Sequence, residues 1–118
     1  EIEALVRTAA ADHGAEIEWL QTNHEGAMVA AVQRCKGTVD GALINAAALT
    51  HSSLARRDAL LAVQIPFVEL HLSNIFAREP ERRHTALASS AIGMLCGFGS
   101  IGYELALRGL VARLGTRG

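Results

Sequence analysis

Two cysteines in 118 residues are too few for a disulfide framework. Cys35 and Cys96 both lie in apolar stretches, where a thiol behaves as a small hydrophobe. No apolar run reaches the length needed to span a bilayer, and the acidic start Glu1-Ile2-Glu3 lacks the basic end of a signal peptide. The expected compartment is therefore the cytosol. There is no excess of charge of either sign: 11 basic against 12 acidic residues leave a formal charge of -1. That balance argues against nucleic acid or an anionic membrane surface as the partner and favours a small molecule or another protein. Internal repeats and low-complexity linkers are also missing, and the length suits one domain with one core over residues 1–118. What the chain has in plenty is hydrophobic residues, at 50%. In so small a domain this leaves apolar surface for other subunits, so a homo-oligomer is expected.

The order of apolar patterns predicts an α/β fold. Ile2, Leu5, Val6, Ala9 and Ala10 keep helical spacing, with Gly14 as the stop. Glu16 to Gln21 alternates like a strand, and Asn23 can cap a helix from about Glu25 to Lys36, ended by Gly37. Gly41 to Asn45 reads as a short strand before a helix near Ser53 to Val63, and Phe67 to His71 reads as the next strand. A polar stretch from Ser73 to Thr85 leads to an apolar segment near Ile92 to Gly97 and a final helix carrying Leu105, Leu107, Leu110, Val111 and Leu114. Strands alternating with helices indicate a doubly wound parallel sheet. A right-handed crossover helix needs a strand before it, so the opening helix predicts that a first strand is missing and the chain is truncated.

The segment richest in chemistry is Glu69-Leu70-His71-Leu72-Ser73-Asn74. Here a buried-strand pattern gives way to charge, imidazole and hydroxyl at the carboxyl end, where open α/β sheets place ligands. Period two sets Glu69 and His71 on one side, so the carboxylate can orient the imidazole for general-acid work. A solvated glutamate beside an edge-strand histidine is the bland alternative. Glu25, His51, Glu69 and His71 are also ligand types that zinc uses, but no compact ligand spacing joins them, so no metal is expected. His13 and His84 need no special role, and Met28 and Met94 read as core filler.

Three further segments fall at the carboxyl ends of strands or in the loop beyond: 21–26 (QTNHEG), 44–53 (INAAALTHSS) and 77–84 (AREPERRH). Together with Glu69 to Asn74, and with Cys96-Gly97-Phe98-Gly99 and Gly102-Tyr103, they resemble the type II 3-dehydroquinate dehydratases along the whole chain. The resemblance implies a flavodoxin-like fold lacking its first strand, and the reversible loss of water from 3-dehydroquinate to 3-dehydroshikimate through an enolate. It places the reaction in the shikimate or quinate pathway. It implies no metal or organic cofactor, and trimers grouped into dodecamers.

By the same resemblance His71 is the general acid oriented by Glu69. Leu72 and Ser73 bind the substrate carboxylate, and Asn45, His51 and Arg82 bind ring hydroxyls. Asp58 reaches a neighbouring subunit's site. Three departures accompany it. The family's lid, with its catalytic tyrosine and assisting arginine, has no counterpart, and the only tyrosine, Tyr103, reads as structural. The family's Asn-Pro-Gly turn is Asn45-Ala46-Ala47, and Glu81 stands where an aromatic precedes the binding arginine. The missing lid tyrosine leaves a second reading, a non-catalytic relative serving as a binding or assembly subunit.

Overall fold

The computed structural model describes residues 1–22, 24–45, 54–77 and 87–116. Among them lie four α-helices, α1 (Ile2–Asp12), α2 (Glu25–Arg34), α3 (Leu54–Val63) and α4 (Ile101–Thr116), a short 3₁₀ helix at Ile75–Ala77, and three strands, β1 (Ala42–Ile44), β2 (Phe67–His71) and β3 (Gly93–Cys96). The strands form one parallel sheet in the order β1-β2-β3. Ile44 stands opposite Glu69, and His71 opposite Cys96.

The strand with the apolar run, β2, is central and buried at every residue. Its alternate side chains feed two cores. Phe67 joins Val32 of α2, Ile44 of β1, and Ala59 and Leu60 of α3 on one face. Val68 and Leu70 join Ala106 and Leu110 of α4 on the other. α1 closes the second layer, with Ala9 and Ala10 against Leu107 of α4. A flat alanine surface lets two helices approach closely, which is why α1 carries alanine where it meets α4. Leu70, at the centre, is wholly buried; enclosing such a side chain contributes about 1.5–3 kcal/mol.

Helix ends follow the expected chemistry in one case and depart from it in another. At the end of α1, Ala15 N–H donates to the Ala10 carbonyl at 2.8 Å and Gly14 N–H to Ala11 at 3.2 Å, with Gly14 at φ 70°. This is a Schellman closure, which needs the left-handed residue that glycine supplies. At α2 the residue with non-helical backbone before the first turn is His24, and its N–H donates to Thr22 Oγ1 at 3.1 Å. The cap expected at Asn23 lies outside the described residues. α2 also ends at Arg34, two residues before the expected Lys36, because residues 35–38 turn away with Thr38 Oγ1 donating to the Arg34 carbonyl.

The strand expected over Glu16 to Gln21 does not form. Ile17 and Trp19 are half-buried while Glu16, Glu18 and Leu20 are exposed, so the alternation is present. A strand is defined by its ladder, however, and none of the described residues pairs with this segment.

Candidate active site

Among the described residues, a buried carboxylate and an imidazole meet at the carboxyl end of β2. Phe67, Glu69 and His71 share one face of the strand, and His71 Nε2 meets Glu69 Oε2 at 2.5 Å. Glu69 is 0% exposed and His71 5%. A carboxylate in that setting is stabilised only by the hydrogen bonds it accepts. Its second oxygen, Oε1, has no partner among the described residues. The imidazole is thus held by one nitrogen, leaving Nδ1 as the ring nitrogen not engaged by Glu69. Such an arrangement fixes an imidazole as a proton donor or acceptor for a bound molecule.

The loop that follows is tied to the loop after β3. Gly97 N–H donates to the His71 carbonyl at 3.2 Å, and Gly99 N–H to the Leu72 carbonyl at 2.9 Å. Asn74 Oδ1 accepts from Phe76 N–H at 3.0 Å and from the Cys96 thiol at 3.6 Å. Gly97 adopts φ 95°, and a Cβ there would come within 3.3 Å of Asn74 Cβ. The Cys-Gly-Phe-Gly segment is therefore a brace for the turn at Leu72 and Ser73, both exposed just beyond the carboxyl end of the central strand.

Asn45, just beyond β1, donates from Nδ2 to the Tyr103 hydroxyl at 3.0 Å. Tyr103 lies in the first turn of α4, and Trp19 packs on its ring with centroids 6.1 Å apart and planes tilted by 41°. Five of the eight predicted site residues thus fall at the carboxyl ends of β1 and β2: Asn45, Glu69, His71, Leu72 and Ser73. Asp58 is exposed on α3 and takes no part in the Glu69–His71 pair. His51 and Arg82 lie outside the described residues.

Sequence reasoning missed two features. The contact between Asn45 and Tyr103 joins positions 58 apart, which no local pattern reveals. The Asn74 turn is different: an asparagine side chain accepting from the N–H two residues on is a recurrent local motif and was open to detection.

Other features of the described residues lie away from this chemistry. A shallow concavity of about 320 Å³ is lined by Arg7, Ala10, Ala11, Ala15, Glu16 and Ile17, beside the end of α1. Another, of about 170 Å³, is lined by Pro66, Ile92, Arg113 and Leu114 at the amino ends of the strands. Burial pushes the Cys35 thiol up, the nearby Glu18 charge adds to this, and Arg34 opposes it. Cys35 therefore stays protonated, as expected of a small hydrophobe rather than a nucleophile. No helix among the described residues is long and apolar enough to cross a membrane.

A parallel sheet with a carboxylate-oriented imidazole at the carboxyl end of its central strand defines an α/β protein of the flavodoxin-like type, equipped for proton transfer to a small molecule. Comparison with known proteins makes this specific. The family model for class II dehydroquinase matches residues 1–111. A 3-dehydroquinate dehydratase of Gemmatimonas aurantiaca is 56% identical over 101 residues, which cover 86% of this chain and 66% of the relative. One from Synechococcus sp. (strain WH7803) is 53% identical over 114 residues, 97% of this chain and 78% of the relative. The crystal structure of type II dehydroquinase from Propionibacterium acnes superposes with a TM-score of 0.88 at 33% identity, covering 94% of this chain and 77% of that one. The chain belongs to the class II dehydroquinase family, whose curated relatives named here are hydro-lyases.

Proposed function

We propose that this chain carries the general-acid part of a 3-dehydroquinate dehydratase site, with His71 as the acid and Glu69 as the group that orients it. The observation that supports this most directly is the buried Glu69–His71 contact. In the reaction, a base, which the resemblance assigns to the family's lid tyrosine, takes a proton from the carbon next to the substrate ketone and an enolate forms. The enolate then expels the hydroxyl on the neighbouring carbon as His71 delivers its proton to that oxygen. Water leaves and an enone remains. His71, now neutral, regains a proton before the next turnover. A carboxylate 2.5 Å from Nε2 favours this role, because it holds the imidazole and fixes the plane in which the other nitrogen points.

The substrate is a polyhydroxylated carboxylate. In this reading the braced loop at Leu72 and Ser73 holds the carboxylate through backbone N–H groups and the Ser73 hydroxyl, while Asn45, His51 and Arg82 hold the ring hydroxyls. The reaction requires neither metal nor organic cofactor. Family membership favours catalysis over a purely binding role. The decisive experiment is the ultraviolet absorbance of the enone when purified protein, joined to a family-type N-terminal strand and lid that supply the tyrosine base, meets 3-dehydroquinate. A steady rise is expected; a flat trace with folded protein would remove the assignment.

The chain acts in the cytoplasm as a homo-oligomer built on trimers and grouped into a dodecamer, in which Asp58 reaches a neighbouring subunit's site. Leu20, Leu61, Phe76, Phe98 and Ile101 support assembly, since each leaves between 46% and 60% of its surface exposed in the single chain. Sedimentation equilibrium should give a mass that is a multiple of three chains; a monomer at micromolar concentration would contradict the proposal.

A further inference from the structure

The turn after β2 breaks the alternation of a strand. The His71 carbonyl accepts from Gly97 N–H at 3.2 Å, and the Leu72 carbonyl accepts from Gly99 N–H at 2.9 Å. Successive carbonyls of a strand point to opposite sides, whereas these two both face the loop after β3. Each peptide unit is planar and trans, so its N–H points opposite to its carbonyl. The unit between His71 and Leu72 therefore sends the Leu72 N–H away from β3, to the side of the sheet where β1 ends.

Two glycines make this turn possible, and they do so unequally. Gly97 adopts φ 95°, outside the left-handed well at about +50 to +70° that an L-residue can enter, while Gly99 at φ 64° lies inside it. A Cβ on Gly97 would meet Asn74 Cβ at 3.3 Å, and one on Gly99 would have nothing within 4 Å. Asn74 is itself held, with Oδ1 accepting from Phe76 N–H and from the Cys96 thiol. A methyl group at 97 would therefore act on backbone at both ends of the contact. Gly99 ties the loop to α4, since its carbonyl accepts from Gly102 N–H at 3.0 Å.

We propose that Gly97 is a positioning residue for the substrate carboxylate: by closing on Asn74 and donating to the His71 carbonyl, it aims the Leu72 N–H at that carboxylate. The inference rests on the carboxylate-binding role read above for the Leu72 backbone. A side chain at 97 would widen the gap to Asn74 and rotate the backbone toward smaller φ, which lengthens the bond to the His71 carbonyl. The peptide unit that carries this carbonyl also carries the Leu72 N–H, so the two turn together. The His71 ring is held separately, by Glu69. Carboxylate recognition is thus set from β3, and the acid from within β2.

The test uses protein joined to a family-type N-terminal strand and lid, in unsubstituted form and as Gly97→Ala and Gly99→Ala. It compares kcat/KM for 3-dehydroquinate with that for the analogue whose carboxylate is replaced by a carboxamide. Gly97→Ala should cut the preference for the carboxylate about 10-fold or more, the scale of one hydrogen bond to a charged group, with a smaller loss in kcat. Gly99→Ala, which keeps its N–H and meets no neighbour, should retain the preference. Independently of whether Gly97→Ala folds, saturating the unsubstituted protein with 3-dehydroquinate should move the Leu72 amide proton downfield in a ¹H–¹⁵N spectrum. A Gly97→Ala enzyme that keeps the preference, equal losses in the two variants, or an unmoved Leu72 amide overturns the inference while leaving the function intact. Lack of turnover in the unsubstituted protein overturns the functional reading, and the role of Gly97 with it.

Discussion

His71→Ala, in protein that carries a family-type lid, is expected to lower kcat for dehydration by about 10²–10⁴-fold, the usual contribution of a positioned general acid, while 3-dehydroquinate binding falls less than it does in Arg82→Ala. The asymmetry follows from when each group acts. In the proposed mechanism the imidazole contributes as the carbon–oxygen bond breaks, when the departing hydroxyl acquires charge, so its loss falls on the chemical step. An arginine on a ring hydroxyl is already engaged in the substrate complex, and its loss falls on affinity. Alanine at 71 removes a ring that is 5% exposed and leaves Glu69 without its hydrogen bond. Some stability should be lost too, so the measurement must pair steady-state kinetics with the unfolding midpoint and with ligand titration. Turnover comparable to the unsubstituted protein would remove the general-acid assignment.

The parts of this architecture that local sequence reveals are those whose side chains meet a demand set within a few residues. β2 was legible at both ends because Pro66 precedes an apolar run and the run ends in imidazole. The Glu69–His71 contact was legible for the same reason, since period two alone places the pair on one face. The stop of α1 at Gly14 follows from the left-handed backbone that the closure needs. What was illegible depends on partners distant in sequence. Glu16 to Gln21 has the alternation of a strand and lacks one, because pairing is a property of two segments and no described segment lies beside it. The early end of α2 likewise reflects the Thr38 side chain reaching back to Arg34, which competes with helix continuation without altering the apolar pattern. Trp19, Tyr103 and Asn45 come together only once α4 has crossed the sheet.

Glu69→Gln is expected to lower turnover about 10²-fold or more while leaving the unfolding midpoint unchanged or slightly raised. The two effects have opposite signs because the carboxylate is costly to the fold and useful to the reaction. Glu69 is 0% exposed, and its Oε1 has no partner among the described residues, so its charge is desolvated with a single hydrogen bond from His71 in return. Replacing a buried charge by a neutral group of the same shape is often neutral or stabilising. The reaction loses on two counts. A carboxamide accepts a weaker hydrogen bond from Nε2–H than a carboxylate does, and it can present an N–H to Nε2, which forces the wrong tautomer. Exchanging a carboxylate for a carboxamide behind a catalytic histidine costs about 10⁴-fold in the serine protease triad; an acid that donates one proton per turnover should lie at or below that figure. Glu69→Ala separates the alternatives. It removes the hydrogen bond and leaves a cavity, so it should lose both activity and stability, by about 2–4 kcal/mol for the latter. If Glu69→Gln instead loses stability in step with activity, the buried pair holds the strand end together and does not tune the acid.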